Sequence, residues 1–204
     1  MNEIIRVPPT GDRIWPTTQA ADGFPRLRWT MKDFDRLTEL GVFGAKSRIE
    51  LIGGELVPMA AKGDHHEIVR AALQNWLIRR LPETVNATEE MGWRPNADTY
   101  LEPDLMYYPS AAPVPFVPPD QVFLIIEVSH SSLWIDLGLR AKTMAALGVR
   151  DYWVVNAIKH DITVHREPTK DGFRNARIVR PTERIVPLYV PELALRMADL
   201  GFGD

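Results

Sequence analysis

Residues 122–128 read Val-Phe-Leu-Ile-Ile-Glu-Val (VFLIIEV), and the reading of the fold starts there. The run is apolar without alternation, so it is buried on both faces and belongs in the middle of a sheet. It also carries one carboxylate, Glu127. A carboxylate in a buried strand is costly unless it is paired, hydrogen-bonded or bound to a metal. Two readings of Glu127 therefore stand at this point: it caps a loop or pairs with an arginine, or it serves a site.

Working outward, residues 101–108 (LEPDLMYY) form a second strand-like segment, with Asp104 placed after Pro103 at its start. If the two strands are neighbours, Asp104 and Glu127 converge at one edge of the sheet. Two carboxylates with a backbone carbonyl, such as that of Val128, make an oxygen site suited to Mg²⁺ or Mn²⁺. An ion there can activate water and offset charge on a phosphoryl group.

The flanking elements read as follows. Thr30 with Asp33 resembles a capping box opening a helix with Phe34, Leu37 and Leu40 as its stripe, and Gly41 ends it. Residues 48–59 (RIELIGGELVPM) read as a hairpin around Gly53-Gly54. Asp64 with Glu67 looks like a second capping box, ahead of a helix over 64–81. Its broad apolar face takes in Ile68, Val69, Leu73, Trp76 and Leu77. Residues 84–94 read as a strand, 136–147 as a helix closed by Gly148, and 151–156 (DYWVVN) as another buried strand. Residues 161–190 look like peripheral strands. Residues 1–27, with Pro8, Pro9, Pro16 and Pro25, read as an extended Pro-rich arm, and 28–204 as a single domain. The fold class is α/β: a mixed sheet flanked by helices, with an added N-terminal helix and hairpin.

Composition narrows the function. The 204 residues include no cysteine, which excludes disulfides, thiolate metal sites and cysteine nucleophiles. No GxxxxGK[ST] or GxSxG motif occurs, and Ser129, Ser131 and Ser132 lack a histidine–acid arrangement for a serine hydrolase. The first residues carry no leader-like apolar run and the longest apolar stretch is far short of a membrane span, so a cytoplasmic protein without a membrane partner is expected. Net charge is −3, unlike the usual basic balance of a protein gripping a long phosphate track. Between 165 and 184, however, six Lys/Arg face three acids, a solvated strand face or a local basic surface.

The segments RIELIGGELVPM, HHEIV, YLEPDLMYY, LIIEVSHSS and DLGLRAKTMAALGVRDYWVVN follow one another in order. Together, over about residues 28–200, they resemble the Uma-type restriction endonuclease family, a branch of the PD-(D/E)XK nuclease-like superfamily. The resemblance implies a restriction-endonuclease-like fold: a helix, three antiparallel strands, a helix and a further strand. It implies Asp104 and Glu127 as metal ligands, with a glutamate like Glu50, a histidine like His65 and an aspartate like Asp136 in support.

The chain departs from that pattern at the lysine. The position two after Glu127 is Ser129, and the position four after Asp136, where this branch carries its lysine, is Arg140. Arginine keeps its proton and cannot be a base, though it can stabilise an oxyanion. Lys142 is two residues on, about 200° around a helix, so it replaces the lysine only if the helix is distorted. Other residues keep two readings: His65 and His66 as a capped helix start or with His65 near the acids, His130 as a proton shuttle or exposed loop residue, Glu50 as a site residue or a partner of Arg48, Asp136 as N-cap or ligand. Trp76, Trp134 and Trp153 suit core or interface packing. The leading expectation is a Mg²⁺- or Mn²⁺-dependent endonuclease acting on DNA, with Asp104, Glu127 and Arg140 catalytic and a homodimer as one assembly for cutting both strands. The rival is a weakened or inactive nuclease-fold binding or assembly protein, and an RNA-directed nuclease is the third reading.

Overall fold

The computed structural model describes residues 17–19, 25–44, 48–59 and 61–203, with the backbone alone at 17–19 and 25. Strand β9 (Leu124–Ser129) is buried at every position and lies inside a six-stranded sheet of order β12-β11-β10-β9-β8-β5. Its neighbours are β10 (Asp151–Asn156), which runs parallel to it, and β8 (Leu105–Pro109), which runs antiparallel. Strands β5 (Val85–Glu89), β11 (Ile162–Thr169) and β12 (Gly172–Val179) extend the sheet in antiparallel fashion.

Both faces of β9 are covered because its side chains alternate between two cores. Leu124, Ile126 and Val128 join Val69, Leu73 and Leu77 of helix α2 (Asp64–Ile78). Ile125 packs with Ala141 and Met144 of helix α4 (Ala141–Leu147) and with Tyr152 and Val154 of β10. Each fully buried Leu or Ile contributes about 2 kcal/mol. Glu127 shares the parity of Ile125 and so falls on the α4 side, at the carboxyl end of the strand.

Helix α1 (Met31–Glu39) carries the expected reciprocal capping box between Thr30 and Asp33. Only Phe34 of its expected stripe is buried, and Leu40 is exposed. The hairpin forms as β3 (Ile49–Ile52) and β4 (Glu55–Pro58), turning at Gly53 and Gly54 with φ of +58° and +87°. A side chain at Gly54 would also collide with Arg28. This hairpin heads a second sheet of order β4-β3-β7-β6, with β6 at Trp93–Asn96 and β7 at Thr99–Leu101.

Several expectations need correction. The single strands over 84–94 and 101–108 are each two strands in different sheets. The breaks fall at Glu90, in left-handed backbone with φ +48°, and at Pro103, which lacks the N–H a continuing ladder would use. The cap of α2 is Gly63 with no side-chain bond, so Asp64 opens the helix without capping it, and Ile68 faces outward. The helix over 136–147 begins earlier, as a turn α3 (Leu133–Ile135), passes through a π-helical stretch Asp136–Arg140, and only then becomes α4. Trp134 is exposed, with no part in a core. Of the arm 1–27, residues Thr17–Gln19 (β1) and Pro25–Leu27 (β2) pair antiparallel, and its other residues, with Pro8, Pro9 and Pro16, lie outside the described ones. Among the described residues no helix is long and apolar enough to cross a membrane.

Candidate active site

The main-chain ladder between β8 and β9 ends at the pair Leu105–Ile126. Beyond it the chain binds itself through carboxylates. The Asp104 N–H donates to Glu127 Oε2 at 3.2 Å, and the Val128 N–H donates to Asp104 Oδ2 at 2.8 Å. Both acids are buried, at 4% and 5% exposure. They line a cavity of about 370 Å³ between the hairpin, the start of α2 and the 133–147 helix.

Asp104 is surrounded by donors. His66 Nε2 lies 2.9 Å from Oδ2, and the Lys62 ammonium donates to Oδ1 at 2.6 Å. Burial alone would raise the Asp104 pKa, but His66 and Lys62 outweigh it and hold the carboxyl at about 2. Glu127 has the opposite balance. Burial pushes its carboxyl well up; Arg140 opposes this, while Asp104, Asp136 and Glu50 add like charge. Its Oε1 is buried and has no hydrogen-bond partner.

Arg140 is the hub on the other side. Its Nη1 and Nη2 donate to the two oxygens of Glu50 at 3.0 and 2.5 Å. Nη1 is also 3.6 Å from Glu127 Oε1, and Nε is 3.2 Å from Asp136 Oδ1 without the alignment of a hydrogen bond. Glu50 is 1% exposed, so it is no solvated partner of Arg48, which pairs with Glu102 instead. Glu50 Oε1 also accepts the Glu102 N–H at 2.9 Å, fixing the hairpin to the strand that leads to Asp104.

Asp136 lies inside the π-helical stretch and is not a helix N-cap. Its Oδ2 accepts the Ser129 and Ser132 hydroxyls at 2.6 and 2.7 Å. Ser129, at the position where the superfamily pattern wants lysine, thus orients an acid. Lys142 is exposed and lines the cavity beside Thr143. The π-helical stretch Asp136–Arg140 precedes it in the helix.

The expected histidine is replaced by its neighbour. His65 is exposed and its ring lies tilted beside that of His130, centroids 5.5 Å apart, while buried His66 reaches Asp104. The signal was present in the helix period: His66, Val69, Leu73 and Leu77 share the buried face of α2. Lys62 and Glu90 were missed altogether, since both stand on irregular backbone that no periodicity marks.

Among the described residues no group of three or more His, Asp or Glu side chains is arranged to hold a metal ion. Three of the acids, Glu50, Glu127 and Asp136, face the Arg140 guanidinium instead. The donor set still suits a hard cation taking two carboxylates and several waters. The unpartnered Glu127 Oε1 belongs to a carboxyl that lines the cavity, has no hydrogen bond to compete with such an ion, and would be drawn to its ionised form by the ion's charge.

The family model described as "Uma2: Putative restriction endonuclease" matches residues 31–198. Among solved structures the chain is similar to one described as "a putative nuclease belonging to DUF820" from Anabaena variabilis ATCC 29413. The TM-score is 0.62 over 85% of this chain and 97% of that one, at 15% sequence identity. At that identity the likeness is one of fold. No curated protein matches the chain.

Proposed function

This chain belongs to the Uma2 restriction-endonuclease-like family, and on that premise we propose that it is a divalent-metal-dependent endonuclease hydrolysing phosphodiester bonds in DNA. The observation that carries the reading is the buried Asp104–Glu127 pair at the wall of a cavity, with one unpartnered carboxylate oxygen turned toward Arg140. Asp104, Glu127 and the Val128 carbonyl would hold Mg²⁺ or Mn²⁺. Such an ion, when bound, lowers the pKa of water and neutralises charge on the phosphoryl group.

The protein's own groups have separable tasks. His66 and the Val128 N–H fix Asp104 Oδ2, which turns Oδ1 to the cavity. Arg140 contributes a permanent positive charge near the reacting phosphate and moves no proton. Glu50 and Asp136 hold that guanidinium in place. The proton released by the attacking water must therefore go to an acceptor other than Arg140.

One observation favours the rival reading, a catalytically weakened or inactive binding protein. Arg140 makes a two-pronged bond to Glu50 and lies against two further carboxylates, so its charge is already matched by acids before a substrate phosphate arrives. Cleavage of plasmid and single-stranded DNA with Mg²⁺ or Mn²⁺ separates the two. Under the nuclease reading the wild type cuts, Glu127→Gln does not, and Arg140→Lys cuts at least as fast. An inert wild type with an active Arg140→Lys means a site silenced at one position. If all three are inert and calorimetry detects no metal binding, the nuclease reading fails.

A further inference from the structure

Lys62 lies on the irregular stretch 61–63 before α2 and reaches into the cavity, its side chain 15% exposed. Its ammonium donates to Asp104 Oδ1 at 2.6 Å and to Glu90 Oε1 at 2.8 Å. The other oxygen of Asp104 already has two partners, His66 Nε2 and the Val128 N–H. Oδ1 is thus the Asp104 oxygen left for a cation, and Lys62 stands on it. Glu90, the second anchor, is held firmly. Its backbone is left-handed at φ +48°, a conformation that costs energy in any residue but glycine and persists where the surroundings impose it. Its N–H bonds the Pro103 carbonyl, and Arg48 and Arg70 flank its carboxylate at 3.9 and 3.4 Å.

Resting on the metal-dependent reading above, we propose that Lys62 is a displaceable cation. It occupies Asp104 Oδ1 in the free protein and yields that oxygen to the divalent ion. Still tied to Glu90, it then presents its ammonium to a phosphate oxygen of the substrate. Lysine suits this exchange. Its ammonium is a compact charge with three donors on a flexible stem, so it can drop one partner and keep another. Arg140 does not suit it, because its planar fork is fixed by a two-pronged bond to Glu50.

The test is a calorimetric titration of Mn²⁺, without DNA, into the wild type, Lys62→Met, Lys62→Gln, Lys62→Arg and Lys142→Met. Lys142 lines the same cavity but is exposed, so it controls for the simple loss of a nearby charge. Lys62→Met and Lys62→Gln should each bind Mn²⁺ roughly tenfold more tightly, the order of one charge-assisted hydrogen bond. Lys62→Arg and Lys142→Met should stay near the wild type. With Ca²⁺ in place of Mn²⁺, Lys62→Met should bind a short DNA duplex roughly tenfold more weakly than the wild type. Mn²⁺ binding by the wild type that is unchanged in both neutral variants overturns the proposal and leaves the metal reading standing. An equal gain in Lys142→Met overturns it too, since the effect would then be one of field alone. Undiminished duplex binding removes the phosphate role. Absence of Mn²⁺ binding in every protein defeats the metal reading, and this proposal with it.

Discussion

Asp104 and Glu127 stand opposite each other on the rung just past the end of the β8–β9 ladder, where the Asp104 N–H bonds a side-chain oxygen of Glu127 at 3.2 Å. Although they share a rung, their environments push them apart. Asp104 is held ionised, with its carboxyl at about 2, whereas burial favours the protonated form of Glu127. Neutral isosteres should therefore behave differently. Asp104→Asn should cost about 2 kcal/mol of stability, because a charge that stabilises the fold is lost. Glu127→Gln should cost less than about 1 kcal/mol, since it mimics a carboxyl that burial already disfavours ionising. Urea denaturation of both variants at neutral pH measures this, and equal losses would refute the assignment.

The rung also marks how far the sequence can be read. An unbroken apolar run determines a central strand, so β9, β10 and the inner face of α2 were legible, and so was the convergence of Asp104 with Glu127. The division of residues 84–108 between two sheets was not, because Glu90 and Pro103 interrupt segments whose side-chain alternation continues on both sides. In the site, residues on regular elements could be located by period. His66, not His65, shares the buried stripe of α2. Lys62 reaches Asp104 across 42 residues from irregular backbone, a contact set only by the tertiary fold.

Arg140 compensates the buried acids Glu50 and Asp136 at once and lies 3.6 Å from Glu127, whose ionised form burial disfavours. Removing it strands those charges, and breaking a buried pair from one side costs about 3–5 kcal/mol. Arg140→Met should lose stability on that scale. Arg140→Lys keeps the charge but gives up the fork on Glu50, and should lose about 1–2 kcal/mol. Thermal or urea unfolding distinguishes them, and a methionine variant as stable as the wild type would show that the guanidinium is not what balances the cluster.

Gly92 is a close-approach glycine. A Cβ there would come within 2.4 Å of the Tyr100 ring, whose hydroxyl donates to Glu102 at 2.9 Å. Tyr100 also packs on Phe34, at 5.0 Å between centroids, tying α1 to the second sheet. Gly92→Ala should displace the ring and lose about 1–3 kcal/mol, as overpacking does. Tyr100→Leu in the same background should recover part of that loss. If the double variant is no better than Gly92→Ala alone, the clash lies elsewhere.

His165 gives the fold an acid-sensitive point behind the site. It is 6% exposed, packs beside the stacked rings of Tyr152 and Phe173 at 5.5 Å from each, and its Nδ1 is buried without a partner. Burial lowers its pKa below the ordinary 6.5, against smaller opposing effects from the backbone at Tyr152 and Thr163. The unfolded chain then binds the proton more readily than the folded one. The stability this neutral ring confers is full above pH 6.5 and falls as pH drops from there toward the folded pKa, by no more than about 1.4 kcal/mol per pH unit. His165→Phe keeps the aromatic cluster and removes both the titration and the unpartnered nitrogen. Its stability should match or exceed the wild type at pH 8, and the gap should widen in its favour between about pH 6.5 and 5. Urea midpoints for the two proteins across that range decide it, and parallel curves would mean that His165 takes up its proton without cost to the fold. The effect has a route to the site, since Tyr152, which His165 touches, donates its hydroxyl to the Asp136 carbonyl at 3.2 Å. Acid pH should therefore loosen the Asp136–Arg140 arrangement in the wild type before it does so in His165→Phe.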